Sequence, residues 1–226
     1  MSQKYYQDDY VTLYHGDCLT EHREWLDADV LVTDPPYGIK WTQRIGGYAG
    51  AGSYEALRMA VSGDADEGLR DAVLAEWGAR PAVVFGSWKA TPPSGVRSRL
   101  IWDKQGSHPG PLNAPFYTTD EEVYILGKGF RASSPPQRSV ISTKEQRSAE
   151  VSRIGHPTPK PVALMEILVD RCPPGVVSDP FSGSGSTLLA ARNMGRKAVG
   201  VELEEKYCEI IAKRLDQGVL ELGGDT

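Results

Sequence analysis

Asp34-Pro35-Pro36-Tyr37 places a carboxylate, rigid carbonyl oxygens and an aromatic plane within four residues. The two prolines fix φ and carry no N–H, so the turn is stiff and its carbonyls face outward. A planar ring bearing an exocyclic amino group needs that set: two acceptors for its two N–H bonds and a face to stack on. A strand cap followed by a proline turn, with Tyr37 as ordinary cover, uses the same residues, so the tetrapeptide alone leaves both readings open. Its context adds weight. Asp29-Val30-Leu31-Val32-Thr33 reads as a buried strand, and ligands of open α/β sheets collect at strand ends.

A second constellation lies in the C-terminal half. Gly175 to Asp179 reads as a strand, followed by Pro180-Phe181-Ser182-Gly183-Ser184-Gly185-Ser186-Thr187, a helix from about Leu188 to Met194, and a strand from Lys197 to Glu202. This βαβ unit is the mark of a nucleoside-binding half-sheet. Its glycines let backbone approach a ligand, and the carboxylate ending the second strand suits ribose hydroxyls. The turn lacks the Gly-Lys-Ser/Thr ending of a phosphate loop, and Leu188 stands where a dinucleotide fingerprint has its third glycine. A single nucleoside with a non-phosphate tail is the better match. Upstream, His156-Pro157-Thr158-Pro159-Lys160-Pro161 is held extended by its prolines, with Pro161 opening a helix to about Arg171. A helix start beside a lysine is a good seat for a carboxylate.

The remaining elements must position these groups. Val11 to Tyr14 alternates like a strand, Asp17 follows as a turn-former or as an acceptor at the mouth of the sheet, and a short helix is expected from Thr20 to about Leu26. Ile39 to Ser53, rich in glycine and carrying Trp41, Arg44 and Tyr48, reads as a loop beside the tetrapeptide. A helix is expected over 64–77 and a buried strand over 82–86. Strands at 99–102 and 122–126 are expected to pair antiparallel at one sheet edge. A final amphipathic helix spans about 204–215. Residues 129–155 show no periodicity and hold five basic against two acidic residues in a chain of net charge −5. Solvated loop and phosphate contact are both open there.

At 226 residues the chain fits one large domain. No apolar run approaches a membrane span, and the polar N-terminus is no signal peptide. Cys18, Cys172 and Cys208 lie far apart and the histidines do not cluster, so no metal site or disulfide framework is expected, and a reducing cytoplasm is.

Taken in order, the motifs at 34–37, 156–161 and 179–187 resemble those of the DNA amino-methyltransferases of the permuted β group, in which the catalytic half precedes the cofactor half. The resemblance covers about Tyr10 to Leu215. It implies an α/β, Rossmann-like methyltransferase fold: a mostly parallel seven-stranded sheet with one antiparallel edge strand and helices on both faces. It further implies a single domain over 10–217, with a catalytic half at 10–128, a short basic loop region at 129–155 in place of a full target-recognition domain, and a cofactor half at 156–217. Residues 1–9 and 218–226 would be tails.

The resemblance implies S-adenosyl-L-methionine as cofactor. Asp179, Pro180, Phe181, Ser182, Gly183, Gly185, Ser186 and Thr187 would line its methionine part. His156, Thr158, Lys160 and Pro161 would hold its amino-acid end, with Lys160 on the carboxylate. Glu202 would take the ribose hydroxyls, and Asp17 with Cys18 would meet the adenine. Tyr37 would stack on a flipped-out target base while Asp34 and the Pro35 carbonyl accept its amino hydrogens, beside Pro36. The freed nitrogen lone pair would attack the methyl in line. Carbon-5 methylation would require a Pro-Cys nucleophile, and only the reverse, Cys172-Pro173, occurs. Asp at the first motif position points within the family to N6 of adenine; N4 of cytosine, an RNA base, or a non-catalytic cofactor-binding or DNA-binding remnant are the alternatives. DNA is the expected partner, duplex or single-stranded, with Arg44, Arg131, Arg138, Arg147 and Arg153 as candidate contacts. The family also suggests a homodimer and a place in the cytoplasm of a bacterial or phage-infected cell, in restriction–modification.

Overall fold

The computed structural model describes residues 3–37, 42–45, 57–60, 68–105, 115–116, 118–133, 135–143, 154–156 and 158–222, with backbone only at 42–45, 57–60 and 218–222. The strands are β1 (Lys4–Gln7), β2 (Val11–His15), β3 (Val30–Thr33), β4 (Thr42–Ile45), β5 (Leu57–Ala60), β6 (Ala82–Gly86), β7 (Val96–Asp103), β8 (Asp120–Leu126), β9 (Val140–Ser142), β10 (Val177–Asp179) and β11 (Ala198–Glu202). The helices are α1 (Gly68–Trp77), α2 (Val162–Arg171), α3 (Ser186–Asn193) and α4 (Glu205–Leu222).

Among the described residues nine strands form one sheet in the order β1-β2-β11-β10-β3-β6-β8-β7-β9, and β4 pairs antiparallel with β5 in a separate ribbon. The seven strands from β2 to β7 are the expected Rossmann-like core. β8 alone runs against both its neighbours in it. The reversed strand is therefore interior, not at the edge: β7 pairs beyond it, and β9 pairs beyond β7. Between them β6 and β7 satisfy both backbone edges of β8, and its side chains are buried on both faces: Val123 joins one core cluster, Tyr124 and Leu126 the other.

Alternation along each central strand builds a core on both faces. Val30, Val32, Val83 and Phe85 join one cluster with Leu164 and Leu168 of α2, Leu188 of α3 and Ile211 of α4. Leu31, Ala82 and Val84 join the other, with Val73 and Trp77 of α1 and Trp25. Every residue of β3 and β6 is buried, as parallel strands covered on both faces require.

Several expectations are corrected. A 3₁₀ turn at Glu24–Asp27 replaces the helix at 20–26, because Asp17 Oδ1 accepts from the amides of Leu19 and Thr20 and its carbonyl from those of Glu21 and His22, closing a turn instead. Residues 1–9 are not all tail: β1 pairs antiparallel with β2, and the Tyr6 hydroxyl donates to Asp8 and Asp216. α4 runs on through 222, past the expected end at 215. β4 occupies part of the expected 39–53 loop, and β9 part of the expected 129–155 loop.

The connections set where a ligand is received. From β10 the chain crosses by α3 to β11 on one side, while from β3 it crosses to β6 on the other. The switch point lies between β10 and β3, where Asp179 and Asp34 leave the sheet side by side. The glycine turn packs down there because Gly200 of β11 has no side chain: a Cβ would stand 2.5 Å from Ser182 Oγ and 2.6 Å from Leu188 Cδ1. Gly200→Ala is expected to cost about 1–3 kcal/mol and to loosen that turn; urea denaturation together with cofactor calorimetry checks both.

Candidate active site

One cavity of about 400 Å³ opens at the carboxyl ends of the parallel strands. Its wall joins the two halves of the chain: Asp34, Pro35, Pro36 and Tyr37 face it from the end of β3, and Asp179 through Ser184 with Ser186 and Thr187 from the end of β10. Asp17 and Cys18 reach it after β2, Glu202 at the end of β11, and His156, Thr158 and Lys160 from the segment before α2.

Two expected residues do not reach the wall. Pro161 is the N-cap of α2, and Gly185 is the N-cap of α3 at φ 77°, where a Cβ would press to 2.9 Å from Ile211. Both cap helices whose starts border the cavity.

The carboxylates of the cofactor half are buried and held by hydrogen bonds. Glu202 accepts from the Gly183 amide at 2.7 Å and the Glu204 amide at 2.9 Å, so it braces the glycine turn it faces; burial raises its pKa. Asp179 accepts from Thr33 Oγ1 at 2.7 Å and the Phe181 amide at 3.1 Å. Burial nonetheless lifts its carboxyl to about 6. His156 accepts the Thr158 amide at Nδ1, 3.3 Å away, and its ring centroid lies 4.6 Å from that of Tyr207. Burial, then the cations Lys160, Arg214 and Lys206, push it down to about 3, so it stays neutral. Ser186 Oγ donates to the Lys160 carbonyl at 2.6 Å, tying the 156–161 segment to the start of α3.

Asp17 combines both of its readings. It lines the cavity, yet its Oδ1 caps the Leu19 and Thr20 amides. The Cys18 thiol is pushed up to about 12 by burial and stays protonated.

The catalytic half holds a chain of alternating charges. The Lys160 ammonium, 8% exposed, lies 2.5 Å from Asp34 Oδ2 and 3.1 Å from Glu121 Oε2. Lys104 lies 2.7 Å from Glu121 Oε1. The Tyr37 hydroxyl donates to Asp34 Oδ1 at 2.6 Å, with Glu121 Oε2 3.3 Å away. Burial opposes charge on Lys160, but the two carboxylates outweigh it and raise its pKa; burial likewise opposes charge on Glu121, and Lys160 with Lys104 outweighs it and lowers its pKa. Burial and the two carboxylates keep the Tyr37 phenol protonated, a donor. Lys160, expected at the cofactor's carboxylate, thus has its charge directed at Asp34. Among the described residues, Lys160 and Tyr37 each take one lone-pair site of Asp34, leaving one further site on each oxygen for a substrate amine.

Glu121 and Lys104 belong to no motif of the sequence. Glu121 is the second residue of a strand, and ligand groups of α/β sheets are sought where strands end. The signal is the reversed direction of β8, which brings its first residues to the carboxyl end of its neighbours.

Of the proposed basic contacts, Arg131 and Arg138 have described side chains and stand apart from each other. Arg131 follows β8, donates its amide to Arg171 and lies 3.8 Å from Asp170, beside Gly175 at the opening of β10. That is the end of the sheet opposite the cavity. Arg138 is exposed ahead of β9. Arg44 sits on β4 opposite Arg58; its side chain, Arg147 and Arg153 lie outside the described residues. Among the described residues no cluster could hold a metal ion, and no helix is long and apolar enough to cross a membrane.

These charges make two expectations measurable. Because Asp179 has its pKa raised in the folded state, that state takes up a proton between about pH 4 and 6; stability is full below this window and falls as pH rises through it, by up to about 3 kcal/mol. Asp179→Asn is expected to flatten that part of the curve, read as the urea midpoint against pH for both proteins. Glu121→Gln leaves Lys104 and Lys160 short of a buried partner and is expected to destabilise by about 3 kcal/mol, measured by the same denaturation at pH 7.

Known proteins agree with this architecture. The sequence profile of a family described as DNA methylase matches residues 93–213. The Type II methyltransferase M.ScaI of Streptomyces caespitosus is 27% identical over 96% of this chain and 84% of its own length. The putative methylase YubD of Escherichia coli K12 is 32% identical over 88% of each chain. Among solved structures, the M1.HpyAVI–SAM complex superposes with a TM-score of 0.63 at 19% identity, covering 90% of this chain and 99% of that one. The cytosine-N4-specific PvuII DNA methyltransferase gives 0.64 at 17%, covering 94% and 89%. With both halves of the site meeting in one cavity, the chain belongs to the DNA methylase family, the S-adenosylmethionine-dependent enzymes that methylate N6 of adenine or N4 of cytosine.

Proposed function

We propose that this chain methylates the exocyclic N6 of adenine in DNA, by direct in-line displacement on a base flipped out of the helix. The observation that carries the reading is the shared cavity: the Asp34 carboxylate and the Gly183 turn face one space at the sheet's switch point. S-adenosylmethionine, when bound, supplies an electrophilic sulfonium methyl.

The residues present fit that group. Gly183, at φ 50°, offers bare backbone to the cavity, and a Cβ there would stand 3.0 Å from His156 Nε2, so the position suits glycine. Asp179 provides a carboxylate for an ammonium, and Glu202 one for hydroxyls. On the substrate side, the free lone pairs of Asp34 accept one amino hydrogen and the Pro35 carbonyl the other. Holding both hydrogens draws the nitrogen lone pair out of conjugation with the ring. Lys160 and the Tyr37 hydroxyl fix the direction of the Asp34 carboxylate, so no reorganisation is required when the base arrives. The excess proton leaves the methylated amine toward the same carboxylate.

Adenine is preferred over cytosine because the first motif position is Asp34 and not serine. Type II methyltransferases among the relatives support a site-specific modification enzyme. Tritiated S-adenosylmethionine with adenine-free and cytosine-free duplexes tests the base: label is expected only where adenine is present, and incorporation into adenine-free DNA would move the assignment to cytosine N4. Asp34→Ala is expected to lower kcat by at least about a hundredfold while calorimetry finds cofactor affinity within a few-fold of the parent; full activity in that variant contradicts the role given to Asp34.

A further inference from the structure

Of the arginines singled out from the sequence, the two with described side chains, Arg131 and Arg138, do not line the cavity, yet a DNA methylase must hold the strand beside its target base. The rim offers a different pair. β6 ends at Gly86, next to β3 in the sheet, and the chain turns at once through Ser87, whose Oγ accepts from the Lys89 amide and whose carbonyl accepts from that of Ala90. This turn presents Trp88 at 64% exposure on the wall of the cavity. The Lys89 ammonium stands 5.5 Å from the indole centroid.

An indole left in water at the mouth of a polar cavity is poor cover but a good platform for stacking. The electrostatics fit the same partner. The cavity wall carries seven carboxylates against three lysines, so phosphates are repelled from the interior, which suits a neutral base and a cationic cofactor. Two of those lysines, Lys104 and Lys160, are paired with carboxylates inside. Lys89 is exposed at the rim and forms no ion pair with any described residue.

We infer that the Trp88–Lys89 corner is a DNA-strand contact: the indole stacks on the base flanking the extruded one, and Lys89 meets a phosphate of the same strand. This rests on the amino-methyltransferase reading above and names the surface by which that site receives its substrate. Stacking on an indole is indifferent to base identity, so the corner supplies affinity and register, not sequence choice.

The test uses the full chain with unmethylated amplified DNA of mixed sequence and tritiated S-adenosylmethionine. Trp88→Ala is expected to raise the KM for DNA about 5- to 100-fold, with Trp88→Phe within about threefold of the parent and cofactor affinity unchanged in both. Lys89→Gln is expected to reduce the slope of log affinity against log salt by about 1. A Trp88→Ala protein with the parental KM overturns the inference, and so does loss of cofactor binding alongside DNA binding, which assigns Trp88 to the fold. An active parent insensitive at Trp88 sinks this inference alone; a parent that methylates no DNA sinks the reading beneath it as well.

Discussion

The structure turns on one buried ammonium. Lys160 comes from the C-terminal half, yet its charge is balanced by Asp34 and Glu121 from the N-terminal half, 126 and 39 positions away. A lysine that is 8% exposed loses several kcal/mol of hydration, which only partners standing in place can offset. The end of β3, the start of β8 and the proline-rich segment before α2 are therefore required to converge. Convergence at that point is what turns two separate motifs into one site.

The cofactor side follows a different physical logic. Its carboxylates are held by backbone amides and hydroxyls rather than by lysines: Glu202 by Gly183 and Glu204, Asp179 by Phe181 and Thr33. Such partners orient a carboxylate without neutralising it, and burial raises both groups. One end of the cavity thus keeps negative charge available to a cationic or hydroxyl-bearing ligand, while the other keeps a carboxylate pinned between an ammonium and a phenol. The division suits two substrates that must meet in one orientation.

Elements with strong local patterning are legible in the sequence. β3 and β6 are unbroken apolar runs, α2 begins where prolines end, and Asp179 to Glu202 reads directly as strand end, glycine turn, helix and strand. The elements that escape such a reading have tertiary reasons. Lys4–Gln7 is a strand only because β2 offers an open edge, and Val140–Ser142 only because β7 does. The 20–26 segment has helical composition but loses its first turn to the Asp17 cap. Glu121 and Trp88 carry no motif at all; one is recognised by what it touches, the other by what leaves it uncovered.

The kinds of chemistry present are written in consecutive residues, because an acceptor-plus-aromatic tetrapeptide, a glycine turn and a terminal carboxylate are all local arrangements. Their order along the chain is written there too, and with it a sheet whose switch point brings β10 beside β3. Which charges face which is settled only by folding. Lys160 pairs with Asp34, a partner 126 positions away, and Arg131 goes to the far end of the sheet, because electrostatic partners are chosen by distance in space, and burial sets how strongly that choice is enforced.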